Sequence, residues 1–227
     1  SHLGADFIMQ NFRGMSLRCR DVGYDLPNAP VVVSPTAHFM MGGLRIDQDC
    51  RTDLEGLFAA GEDAAGVHGA NRLGGNGVVE STVFGGIAGD TIAEYLTEFR
   101  EGTVQDSQIS EIIETTLQPF KRKQSTSIYS LRDRLKNNMW ENAGLVRSEE
   151  SLGNADMEMK EIREQLSSIA LTQGDRAFHL EWMEYLSMLN YLDVCDLIIE
   201  SAKLRKESRG SHFRSDFPAK EDNLPLS

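Results

Sequence analysis

The chain has 227 residues, 35 of them acidic against 23 basic, for a formal charge of −12. That balance argues against a nucleic-acid partner, because phosphate recognition needs clustered Lys and Arg, and against a direct grip on anionic lipid. The composition is that of an ordinary globular protein, with no apolar run long enough to span a bilayer and no visible signal peptide.

Cys19, Cys50 and Cys195 are few, odd in number and far apart. They show neither metal-ligand spacing nor a disulfide framework, so they read as thiols in a reducing, cytoplasmic compartment and no metal site is expected. The opening Ser1-His2 lacks a methionine, as expected of an excised piece of a longer chain.

Val31-Val32-Val33 is β-branched and bounded by Pro30 and Pro35, which predicts a short strand. Leu44 to Asp47 and Gly56 to Ala60 predict two more, with an Asp-rich turn over Gln48 to Leu54. Val78 to Leu96 reads as a helix, with Val79, Val83, Ile87 and Ile92 near helical spacing. Its glycines (Gly85, Gly86, Gly89) cost propensity, which close packing against a sheet or a ligand would offset. Beyond residue 100 glycine thins out and four apolar stripes follow, each read as core. The first runs from Ile109 to Phe120 and the second from Ile128 to Met139. The third runs from Met159 to Ile169 after a break at Gly153, and the fourth is a long helix through Phe178, Trp182 and Leu197 that Asp175 would cap. Short links predict antiparallel neighbours, and the tail from Pro218 reads as loose.

The most telling stretch is His68-Gly69-Ala70-Asn71-Arg72-Leu73-Gly74-Gly75-Asn76. It places an arginine among small residues, directly before an apolar helix. Small residues let a ligand approach the backbone, the guanidinium fork matches a carboxylate, and the helix would point its positive end at the same place. Upstream lie Pro35-Thr36-Ala37-His38-Phe39-Met40-Met41-Gly42-Gly43 and then Gly56-Leu57-Phe58-Ala59-Ala60-Gly61-Glu62.

In this order the three blocks resemble the C-terminal part of the succinate dehydrogenase/fumarate reductase flavoprotein family, which includes L-aspartate oxidase. Met139 to Arg147 and Arg205 to Pro218 resemble the family's helical domain, so the likeness runs over roughly residues 20 to 218. It implies an α+β fragment. Residues 1–100 would be a small glycine-rich part of an FAD-binding α/β domain, and residues 101–227 a C-terminal helical bundle with a polar tail.

The resemblance makes Arg72 and His38 the catalytic residues, gripping a small dicarboxylate over the flavin of FAD. Gly42, Gly43, Gly61, Glu62, Gly77 and Val78 would bind that cofactor. The family usually has serine and leucine where this chain has Gly77 and Val78, so contact there would come from backbone N–H groups. The implied activity is interconversion of succinate and fumarate by hydride transfer to or from flavin N5, as part of electron transport. Met41-Gly42-Gly43 leans toward that branch, whereas Glu80 and Met139-Trp140 lean toward L-aspartate oxidase, and both stay open.

The family's G-x-G-x-x-G fingerprint and its capping segment do not occur in the sequence. The implied partners are therefore the N-terminal and capping domains of the same polypeptide, together with an electron-transfer subunit. The location implied is cytoplasmic, or peripheral on the cytoplasmic membrane face through partner subunits. A reading of another class is a helical assembly module that is catalytically silent alone.

Overall fold

A computed structural model describes residues 3–99, 102–123, 126–172 and 174–222. The chain divides at Met40 into two compact units.

The first unit holds α1 (Gly4–Asn11) and α2 (Arg13–Asp21). Phe12 joins them: its N–H donates to Ile8 O at 2.8 Å, and its carbonyl accepts from Ser16 N at 2.9 Å. α2 stops at Gly23, whose φ of 88° suits glycine. There Gly23 N–H donates to Arg20 O at 3.0 Å and Tyr24 N–H to Cys19 O at 2.9 Å, which satisfies two carbonyls of the last turn. The strand expected at Val31 to Val33 does not form. That segment has no regular structure, and Val32 and Val33 are exposed. β-branched residues favour a strand only where a neighbour accepts the ladder, and this unit offers none among its described residues.

The second unit begins with β1 (Leu44–Arg45), which pairs in parallel with β2 (Ala64–Ala65), Leu44 opposite Ala64. The Asp-rich turn between them is as expected. Asp47 Oδ1 accepts from Asp49 N–H and Arg51 N–H, both at 2.9 Å. The strand expected over Gly56 to Ala60 reduces to a single antiparallel bridge between Arg51 and Phe58. α3 (Asn76–Glu98) follows and buries Glu80, Ala88 and Thr91. Gly85, Gly86 and Gly89 meet nothing within 4 Å of where a Cβ would sit.

The core lies in α5 (Ile128–Ala143), α6 (Glu149–Ser167) and α7 (Leu180–Leu204). Leu131, Leu152, Met159, Ile162, Met188 and Leu192 are almost wholly buried in one cluster. α6 starts on a capping box in which Ser148 Oγ accepts from Ser151 N–H at 3.1 Å and Ser151 Oγ accepts from Ser148 N–H at 3.0 Å. The break expected at Gly153 does not occur, since Gly153 lies inside α6. Leu152, Ala155 and Met159 continue the apolar stripe across it, and their burial outweighs a propensity cost of about 1 kcal/mol.

α7 is capped by His179 rather than Asp175. His179 Nδ1 accepts from Trp182 N–H at 3.2 Å, while Asp175 Oδ1 accepts from Ala177 N–H at 2.9 Å and only forms a turn. Of the first stripe only its end joins the core, where Phe120 packs against the cluster. α4 (Asp106–Leu117) buries no side chain, and Ile109, Ile112 and Ile113 are exposed. Trp182 Nε1 ties it to the bundle by donating to Thr116 O at 2.9 Å, with Phe120 edge-on to Trp182.

Candidate functional site

The glycine shelf is built from close backbone approaches. Gly43 immediately precedes β1, and a Cβ there would lie 2.2 Å from Asp63 O and 2.6 Å from Asp63 C. Only glycine lets β1 reach the Asp63-Ala64 backbone and pair with β2. Gly42 before it faces open space. Gly61, buried with φ of 81°, opens a 3-10 turn over Gly61–Asp63. Glu62 in that turn is exposed to solvent.

Glu80, from the second turn of α3, reaches back to this turn. Its Oε1 accepts from Gly61 N–H at 2.9 Å. The side chain is 4% exposed, and Oε2 has no hydrogen-bond partner among the described residues. A cofactor hydroxyl or a water would satisfy that buried oxygen. The sequence reading used Glu80 only as a branch marker and missed this role.

α3 begins after Gly75, whose φ is 86° and which offers no side-chain cap. The first-turn amides, including those of Gly77 and Val78, thus have no side-chain cap, and the positive end of a 23-residue helix faces the same side as its preceding loop. Gly77 also supports the shelf, since its carbonyl accepts from Ser81 Oγ at 2.8 Å and Ser81 flanks Gly61. The second unit therefore links Gly43, Gly61, Glu62 and Gly77 through consecutive contacts. Arg72 is half-buried in the loop before α3, its Nη1 donating to Leu73 O at 3.3 Å. His38 belongs to the first unit and is exposed.

The loop carrying Arg72 has a second support, from far along the chain. Ala70 O accepts from Ser211 N–H at 3.2 Å and from Ser211 Oγ at 3.4 Å. The tail that delivers Ser211 is locked by ion pairs. Glu207 is 2% exposed and takes Arg205 at 2.8 Å and Arg209 at 3.0 Å. The backbone N–H of Glu221, backed by the two arginines, lowers the Glu207 carboxyl to about 2.

Arg214, wholly buried, donates to Ala202 O at 2.8 Å, closing the end of α7, and pairs with Asp216 at 2.7 Å. That guanidinium holds the Asp216 carboxyl well below the usual carboxylate range. Arg147 donates to His212 Nδ1 at 2.9 Å, and His212 Nε2 donates to Arg205 O at 3.2 Å. Burial pushes the His212 imidazole below its ordinary value, and the neighbouring arginines push the same way. Burial lowers Arg147 too, helped by Arg214.

The chain matches two family models, the FAD binding domain over residues 1–78 and the fumarate reductase flavoprotein C-terminal domain over residues 132–225. It is similar to a subunit of the CoM/CoB fumarate reductase of Methanothermobacter marburgensis, at 38% identity over 96% of this chain and 39% of that protein. The chain thus spans about two-fifths of the length of the curated relatives it matches. Among solved structures, Mycobacterium smegmatis Sdh1 in complex with UQ1 superposes with a TM-score of 0.90 at 31% identity, over 97% of this chain and 37% of that one. A quinol-fumarate reductase with menaquinol molecules superposes equally well, at 0.90 and 30% identity, over 99% of this chain and 40% of that one.

Proposed function

Since the chain belongs to the succinate dehydrogenase/fumarate reductase flavoprotein family, we propose that it is the C-terminal portion of an FAD-dependent oxidoreductase that interconverts succinate and fumarate. The carrying observation is the glycine-lined turn at Gly42, Gly43 and Gly61, where Gly42 faces open space, joined to α3 by Glu80. Such a surface suits a flat ring. The residues present fit a flavin on two counts: Gly42 faces open space beside the paired strands, and the buried Glu80 Oε2 lacks a partner among the described residues.

Gly42, Gly43, Gly61, Glu62, Gly77 and Val78 would hold the cofactor. Glu62 accepts from sugar-like hydroxyls, and the Gly77 and Val78 amides at the start of α3 stabilise negative charge. The flavin, when bound, supplies hydride acceptance and donation. Arg72 grips a carboxylate with two donors and fixes the dicarboxylate in one orientation. His38 donates one hydrogen bond to a carboxylate oxygen. Residues 1–100 form the end of the FAD-binding domain and residues 101–227 the helical domain.

The remaining domains are supplied by the same polypeptide, and electrons leave through a partner protein. Among the described residues no helix is long and apolar enough to cross a membrane. The proposed location is cytoplasmic, with any membrane association peripheral and made through partners.

Flavin content and steady-state kinetics of the full-length protein test this reading. Arg72→Lys keeps the charge and loses the fork, so turnover with fumarate and succinate is expected to fall by roughly ten- to a hundredfold, or about 1.5–3 kcal/mol, with flavin retained. Turnover of L-aspartate alone would move the assignment to that branch of the family. A flavin-free, inactive full-length protein would favour a scaffold role.

A further inference from the structure

The tail meets the Arg72 loop at Ala70, two residues before the arginine. Arg209 N–H donates to His212 O at 2.9 Å and His212 N–H returns to Arg209 O at 3.1 Å, so Gly210 and Ser211 form the tip of a tight turn. Gly210 has φ of 61°, and a Cβ there would sit 2.1 Å from Ala70 O and 2.9 Å from Ala70 Cβ. Ser211 then gives both of its donors to that same oxygen.

The turn cannot drift. On one flank Glu207 holds Arg209; on the other Arg147 N–H donates to Phe213 O at 3.1 Å and Ser215 N–H to Arg147 O at 2.8 Å. Arg147 in turn donates to Ala143 O at 3.0 Å at the end of α5. On the loop side Gly69, beside Ala70, has φ of 55°, a conformation that suits glycine. A fixed tip pressed against Ala70 constrains where the loop runs.

We infer that Gly210 and Ser211 are positioning residues for Arg72, so that the helical part of the chain sets the orientation of the carboxylate-binding arginine. The inference rests on the role proposed for Arg72. In the flavin-loaded full-length protein, Gly210→Ala must push the Ala70 carbonyl aside. The expected result is a roughly ten- to a hundredfold loss in kcat/KM for fumarate, carried mainly by KM, with flavin content unchanged. Amide exchange at residues 69–73 accelerates while α5 to α7 keep their protection. Ser211→Ala, which keeps the N–H, shows a smaller change of the same kind.

Combined with Arg72→Lys, Gly210→Ala adds less than about twofold, because loop position acts through the guanidinium, whereas an unrelated packing defect multiplies independently. Folded Gly210→Ala and Ser211→Ala proteins with unaltered KM and loop exchange overturn the inference and leave Arg72 in its role. Normal turnover by Arg72→Lys removes that role and the inference with it. Should Gly210→Ala fail to fold, Ser211→Ala decides alone, on KM and on exchange.

Discussion

Glu80 offers the sharpest test of how the shelf is held. Glu80→Ala removes the acceptor from Gly61 N–H, a buried bond of 2.9 Å, and leaves that donor facing the space the side chain filled. A buried donor left without a partner costs about 1–3 kcal/mol. Glu80→Gln keeps a carbonyl oxygen in the same place and retains the bond, so its cost should stay below about 1 kcal/mol. For a chain of this size 1 kcal/mol corresponds to roughly 2–4 °C in midpoint. Thermal unfolding followed by aromatic fluorescence should therefore show a drop of roughly 2–12 °C for the alanine variant and a much smaller one for glutamine. Flavin occupancy of the full-length protein should follow the same order, because Glu62 is the next residue after Gly61. The reasoning fails if both variants melt together, wherever that is, since the bond to Gly61 separates them.

Glu62→Ala should lower flavin content while leaving the melting of the flavin-free chain within about 0.5 kcal/mol of the parent, because the side chain is exposed; absorbance of flavin released on denaturation measures it. Leu192→Ala, at the centre of the bundle, should cost about 2–5 kcal/mol in urea unfolding, from lost burial plus a cavity. Acid should loosen the tail in two stages. His212 has a lowered value in the folded state, so its contribution is complete above the ordinary imidazole range and is lost as pH falls through the lowered value. Glu207 and Asp216 are lowered as well, so theirs is complete above ordinary carboxylate values and goes only in stronger acid. Urea midpoints from pH 7 to pH 5 should thus decline in the parent and stay flatter in His212→Gln, and identical slopes would refute the assignment.

Periodicity carried most of the second half. The stripes around Leu131, Ile162 and Leu192 lie in one cluster because a 3.6-residue repeat of large apolar groups has few ways to be buried. It failed at α4, whose isoleucines repeat just as well and are exposed. A stripe shows that burial is available, not what provides it. Local punctuation misled in both directions. Gly153 stops nothing because its neighbours are packed, and Asp175 loses the cap to His179, whose ring also reaches Thr172 O at 3.0 Å.

Two of the three expected strands failed for want of neighbours, since pairing is non-local and the residues around Val31 and Phe58 find at most one bridge, whereas Leu44 and Arg45 find β2. At the site, glycine spacing and the arginine loop were legible as motifs. The Gly61–Glu80 bond and the Ala70–Ser211 contact were not, because they join residues 19 and 141 positions apart. No local pattern encodes such a pairing.

That separation of 141 positions also sets an order of assembly. During synthesis the Arg72 loop is made early and stays without its brace until the turn at Gly210 has left the ribosome. The apolar cluster of α5 to α7 can begin to pack before then, because all of its residues precede residue 204. A chain released too soon would hold the apolar cluster and the glycine turns without the brace at Ala70. Termination before Gly210 would remove that brace together with buried Arg214, so substrate handling and the closure of α7 would be lost at once.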